Sequence, residues 1–304
     1  INNIDKASAQ ALNGIVITTD PEFPIPGSNV KVKLETFQFD TEIANISWYY
    51  NGKLIEQGIG KKVIELKYPD LGQAADIRVV ASIDSSQNYV GGKVLGGATA
   101  NLLYEPINSY IPAWYSGSAV PAEGGKVKLY AEAYLYSNKK QIPPENLIYD
   151  WTINEEPNNS ISGVGKSTAI ITLDPILGEA YVQVTVKSID GIYETRTATR
   201  VTPSSPALKV YYNNFEVFPR PLDYFFTMNT NEITLSAEPF NAWIDKNNKF
   251  LWSVNSIPST NYSKIFPIRK ADNSVGQVDF DLNFENKGVL FQSGHIHSII
   301  NFEK

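Results

Sequence analysis

The chain has 304 residues, 42% of them hydrophobic and 19% charged. That is enough apolar material for two to three packed domains and too much for a disordered chain. A net charge of −6 with a pI near 5.1 argues against nucleic acid as a partner, because such a surface does not gather phosphates. There is no Cys, which excludes disulfides, a thiolate nucleophile and thiolate-bound metal. No apolar run approaches the ~20 residues that cross a bilayer, and no basic run exceeds two residues, so no membrane insertion by this segment is expected.

The chain opens on Ile rather than Met, so a removed leader or an expressed fragment is expected. Residues 1–13 form an Ala/Asn-rich lead-in. Ile1, Ile4 and Leu12 do not alternate, so the segment does not read as a donor strand for a sandwich groove. The first domain is expected over residues 14–104. Its opening run into Pro21, Pro24 and Pro26 should break a first edge strand into two pieces. Val30 to Leu34 then alternates apolar with polar, and Ile46-Ser47-Trp48-Tyr49-Tyr50-Asn51 leads into Asn51-Gly52, the preferred two-residue hairpin turn. A second domain is expected over 105–201. Thr202 to Pro206 reads as a short stiff linker, and 202–304 as the third domain.

One pattern recurs through all three. An apolar-x-Trp-x-x-Asn core appears at Trp48, Trp151 and Trp252, spaced by 103 and 101 residues. An alternating run precedes each Trp: Val30–Leu34, Val127–Ala131 and Ile233–Ala237. Gly-x-Gly-Lys follows the first two, at Gly58–Lys61 and Gly163–Lys166, with Tyr262-Ser263-Lys264 near the corresponding place in the third. Alternation buries one face of a strand and wets the other, and a period of about 100 residues around a core Trp is one sandwich domain. The expected fold is all-β: three tandem immunoglobulin-like (PKD/E-set-like) antiparallel β-sandwich domains, with Trp48, Trp151 and Trp252 as equivalent structural core residues.

The stretch from Pro24 to Gly27 through Ile46–Leu54 and Gly58–Lys62, together with Ser109-Tyr110-Ile111-Pro112-Ala113-Trp114-Tyr115-Ser116-Gly117, resembles an uncharacterised family of exported tandem-repeat proteins of candidate-phyla (Patescibacteria-type) bacteria. Pro206 to Phe240 is a looser match. The resemblance implies export to the cell surface, near pilus or envelope machinery, and implies no catalytic residues.

The residues themselves point away from catalysis. His295 and His297 share a strand face where a metal could sit, but no motif supplies a third ligand, and a solvated face is the plainer reading. Glu155-Glu156 reads as a loop and Asp279/Asp281 as the polar face of an alternating strand, with no sugar-sized cleft signalled between paired carboxylates. The Gly-x-Gly-Lys runs lack phosphate-loop spacing and read as turns. Asp245-Lys246-Asn247-Asn248 is at best a fragment of a calcium loop. The sequons at Asn45, Asn158 and Asn261 are expected by chance in an Asn-rich chain. No cofactor or metal is expected. Two aromatic groups flank the joints: Tyr110, Trp114 and Tyr115 after the first, and Tyr211, Tyr212, Phe215, Phe218 and Tyr224 after the second. With Trp243 they are the candidate partner-contact residues, and packing at a domain interface is the competing reading. The function expected is a non-enzymatic extracellular surface protein of structural or adhesive role. The expected partner is a protein or glycan at a cell surface, or another copy of the chain. The rival readings are a carbohydrate-binding protein and a subunit of a filament, surface layer or pilus-associated assembly.

Overall fold

In the computed structural model, residues 14–84, 87–137, 139–212, 220–271 and 274–303 are described. They form mostly antiparallel strands with a short 3-10 turn, Pro144–Asn146, and no α-helix among the described residues. The chain is all-β and carries three immunoglobulin-like sandwiches in tandem.

In the first sandwich, one sheet has the order Ile15–Asp20, Asn29–Thr36, Val63–Lys67. The other has the order Lys53–Ile59, Asn45–Tyr50, Ala74–Ser82, Asn88–Gly96. Val30, Val32 and Leu34 from one sheet share a core with Ile46, Trp48, Ile77 and Val79 from the other. The second sandwich repeats the plan. Thr168–Thr172, Lys126–Tyr134 and Thr99–Ile107 form one sheet, while Glu156–Pro157, Leu147–Ile153, Ala180–Ser188 and Glu194–Val201 form the other. In the third, Arg220–Pro221, Ala207–Tyr212, Glu232–Phe240 and Ile265–Arg269 face a sheet of order Phe225–Met228, Ser293–Phe302, Gly276–Asn286, Asn248–Val254, Ile257–Pro258.

The recurring Trp is built the same way three times. Trp48, Trp151 and Trp252 are 0%, 1% and 1% exposed. Each indole N–H, which cannot be buried without an acceptor, donates to a main-chain carbonyl: Lys61 at 2.7 Å, Lys166 at 2.9 Å and Ser263 at 2.7 Å. The next residue's carbonyl accepts from the facing sheet, Leu34 N to Lys62 O, Ala131 N to Ser167 O and Ala237 N to Lys264 O. The Gly-x-Gly-Lys turn therefore presents two successive carbonyls, one to the core Trp and one to the opposite sheet. Gly60 and Gly165 make it possible with φ of +70° and +72°. The third copy keeps the carbonyls without the glycines.

The Asn of the pattern also has a fixed task. Asn51, Asn154 and Asn255 have φ of 49°, 51° and 47°, and each is followed by another left-handed residue, Gly52, Glu155 or Ser256. Two successive positive φ values make a two-residue I′-type hairpin. Each Asn Oδ1 accepts a strand N–H from across the sheet: Asp76, Tyr181 and Asp279, at 2.8–2.9 Å. Glu155 thus belongs to a hairpin turn.

Two expectations are corrected. The first strand is not split by the prolines: Ile15–Asp20 is one strand paired along its length with residues 31–36, and the Pro-rich stretch is its connection to the next. The split opening occurs instead in the third sandwich. There Ala207–Tyr212 pairs antiparallel with Glu232–Phe240, while Phe225–Met228 pairs parallel with Ser293–Phe302 in the other sheet. The break expected between Tyr104 and Glu105 falls inside the continuous strand Thr99–Ile107. The chain turns earlier, at Gly96-Gly97, where a side chain on Gly97 would lie 2.2 Å from the Asp70 carbonyl.

By compactness the chain divides into two units. One comprises Ile1–Leu103, Tyr130–Ala169 and Tyr181–Thr199, and the other Tyr104–Leu129, Ile170–Ala180 and Arg200–Lys304. The strands of the second sandwich are shared out between them. The lead-in, residues 1–13, lies outside the described residues.

Candidate functional site

Within the second unit, the aromatic segment after the first joint is bound to the third sandwich. Tyr110 N donates to Ala242 O at 2.9 Å, Asn241 N to Tyr110 O at 2.9 Å, and Ile244 N to Asn108 O at 3.1 Å. Trp114 meets Tyr211 edge-on at 5.0 Å and Phe240 at 6.1 Å, and Tyr115 meets Phe240 at 5.4 Å. At the centre sits Glu238, whose side chain is 5% exposed. It accepts two bonds from Lys264 Nζ at 3.1 and 3.0 Å, one from Ser236 Oγ at 2.7 Å, and one from the Tyr110 hydroxyl. Lys264 Nζ also donates to the Tyr110 oxygen at 2.6 Å. Burial pushes the Tyr110 hydroxyl's pKa well up, and the hydrogen bond to Glu238 and the charge of that carboxylate push it further.

Of the candidate contact residues, Tyr110, Trp114 and Tyr211 are thus occupied inside the molecule. Tyr212 packs on Phe226 at 4.7 Å against the third core. Tyr115 and Tyr224 remain exposed. Phe215 and Phe218 lie outside the described residues.

Trp243 is held differently. Its main-chain N–H donates to Gln292 Oε1 at 2.7 Å, its carbonyl accepts from Asn286 at 3.1 Å, and its indole N–H donates to Asp245 Oδ2 at 3.2 Å. Asn286 and Gln292 are buried, and Gln292 Nε2 reaches Glu123 O at 2.9 Å. Asp245 receives further N–H groups from the Asn247 backbone and side chain and from Asn286. The Asn247 backbone bond leads in holding the Asp245 carboxyl below its ordinary pKa range; burial opposes this, and the Trp243, Asn247 and Asn286 side chains reinforce it. The four donors take up the acceptor positions that a calcium ion would use. Beside Trp243 opens a cleft of about 400 Å³, lined also by Lys126, Thr172, Asp245, Gly288 and Leu290.

His295 Nε2 and His297 Nδ1 contact the same oxygen, Asp281 Oδ1, at 3.2 and 2.9 Å. Tyr224 lies over His297 at 5.6 Å. Among the described residues no group of three His, Cys, Asp or Glu side chains is arranged to hold a metal ion. No helix among the described residues is long and apolar enough to cross a membrane.

The first unit carries a packed junction of its own. The Arg196 guanidinium lies 4.1 Å over the Phe23 ring, donates to Glu22 at 3.1 Å, and through Nε reaches Thr185 at 3.0 Å. Gly72 and Gly96 accommodate Tyr136 and Tyr193, where an added Cβ would fall within 2.9 and 2.6 Å of those side chains. None of these partnerships is visible in sequence. The one available hint was composition: Pro-rich and Gly-rich junction segments flanked by aromatics.

The sequence matches no family model and no curated protein. Solved structures do resemble it. The fibronectin(III)-like modules of Clostridium thermocellum CbhA are 12% identical with a TM-score of 0.29, covering 62% of this chain and 93% of theirs. The central fibronectin-III array of RIM-binding protein is 10% identical with a TM-score of 0.30, covering 98% of this chain and 100% of its own. A Bacteroides ovatus mixed-linkage glucan utilization protein, SGBP-B, in complex with a heptasaccharide, is 11% identical with a TM-score of 0.20, covering 100% of this chain and 71% of its own.

Proposed function

We propose that this chain is a non-enzymatic, exported surface protein whose sandwiches act as stiff spacers in a structural or adhesive role. The observation that carries the reading is the use of side chains at the junctions. Charged and aromatic groups that could serve a site are instead bound into packing: Glu238, Lys264 and Tyr110 in one unit, Arg196, Phe23 and Glu22 in the other. Asp281 and Asp245 are held ionised by donors, the opposite of the raised pKa a general acid requires. The resemblance to exported repeat proteins supports the surface location. Hydrogen exchange tests the stiffness: the amides of Tyr110, Asn241 and Ile244 should exchange as slowly as those of the third core strands. Exchange at loop rates would overturn it. Protease treatment of intact source cells tests the location, and a chain left uncut until lysis would refute it. A glycan-binding reading is favoured by one feature, the cleft at Trp243.

A further inference from the structure

We infer that the cleft beside Trp243 binds the pyranose rings of a saccharide chain. This rests on the adhesive reading and adds to it a place and a ligand class.

The cleft, at about 400 Å³, is of the size of small-ligand sites. Trp243 is part of its lining, and the polar atoms of that residue are already taken: the indole N–H by Asp245, and the main-chain N–H and carbonyl by Gln292 and Asn286. What the ring has left to offer is its apolar surface, held in a fixed orientation. The support beneath is fully hydrogen-bonded, since buried Asn286 also donates to Asp245 and Asn248 and accepts from Gly288 N. Such a frame preorganises the wall. Gly288 packs onto this frame, where a Cβ would fall 2.8 Å from the Asn247 side-chain nitrogen and 3.2 Å from Asn286 Oδ1.

The polar lining is of another kind. Thr172 and Lys126 are exposed, and among the described residues neither hydroxyl nor ammonium has a partner. Asp245 has four N–H donors on its two oxygens and so acts as frame. A pyranose has an apolar C–H face and an equatorial rim of hydroxyls. The first fits the fixed indole and the apolar Leu290 rim, the second fits Thr172 and Lys126. An acyl chain would leave Thr172 and Lys126 desolvated without partners, at a cost.

The test uses the whole chain, titrated with cello-oligosaccharides and, separately, oligogalacturonate, followed by tryptophan emission and calorimetry. The expected result is saturable binding of at least one probe. Trp243→Ala should weaken it about tenfold, and Lys126→Ala about threefold. If Trp243→Ala fails to fold, Lys126→Ala and Thr172→Val carry the test, since both side chains are exposed. Absence of binding to both probes overturns the inference, as does binding that is unchanged in every folded variant. Absence of binding with slow exchange retained at Tyr110 and Asn241 overturns this inference alone; fast exchange with sugar binding retained overturns the spacer reading alone.

Discussion

Tyr149 occupies the place two residues before the core Trp, where the other copies carry Ile46 and Phe250. It is 0% exposed, and its hydroxyl is a buried polar atom without a hydrogen-bond partner. Burial is the leading cause of its raised pKa, with the charge of Glu145 adding to it. A desolvated, unpaired hydroxyl costs more than the ring's packing needs, so Tyr149→Phe should stabilise the chain by about 1 kcal/mol in denaturant unfolding. A loss of stability in that variant would point to an internal water bonded to the hydroxyl. Asp281 gives a pH-dependent case. Burial works to raise its pKa, but hydrogen bonds from His297 and His295 and their charges outweigh it, and the folded value lies below the ordinary one. A depressed carboxylate contributes stability above its unfolded value, near 4, and loses it as pH falls through the folded value. The stability gap between the parent and Asp281→Asn should therefore be full at about pH 6 and close as pH drops below about 4.

The elements show what was legible and what was not. Apolar alternation and the repeated Trp made the sandwiches readable, because a strand's period of two and a core Trp are local signals. The Gly-x-Gly-Lys turn was recognisable as a turn. Its purpose was not, since the Trp48 indole that uses it lies 13 residues away in a different strand. The pairing of Tyr110 with Glu238, 128 residues apart, leaves no local trace. The outer strand beside each Trp strand is guarded against pairing with another chain. It ends in Pro157 in the second copy and Pro258 in the third, and in the first it carries an extra residue, Ile55, between the Trp48–Glu56 and Tyr49–Leu54 pairs. The hairpin turns differ only at their second residue. Glu155 and Ser256 stand at φ of 69° and 62°, where a side chain is strained and Gly52 is not. Glu155→Gly and Ser256→Gly should each stabilise by about 0.5–1 kcal/mol, readable as a higher urea midpoint at unchanged slope. A lower midpoint would mean that the exposed side chains contribute contacts outweighing the strain.

At the scale of the whole chain, stability at the junctions depends on groups that tolerate no half-measures. Glu238 is a buried carboxylate on a strand of the third sandwich, and its donors come from Ser236 and Lys264 of the same sandwich and from Tyr110, just after the strand Thr99–Ile107 of the second. Removing the cation alone strands the carboxylate; removing both charges does not. Lys264 is 37% exposed, so water screens part of the interaction and the full cost of a broken buried pair is not expected. Lys264→Met should cost about 2 kcal/mol, and Lys264→Met/Glu238→Gln distinctly less, a coupling that a double-mutant cycle isolates. The same variants should change the exchange of the Tyr110, Asn241 and Ile244 amides in step with stability, because the Tyr110 hydroxyl loses its Lys264 donor in both and the charge on its acceptor in the double variant. Additive costs would show that Glu238 and Lys264 act independently. A destabilised chain with those three amides still slow would show that the pair supports the third sandwich without fastening the segment to it.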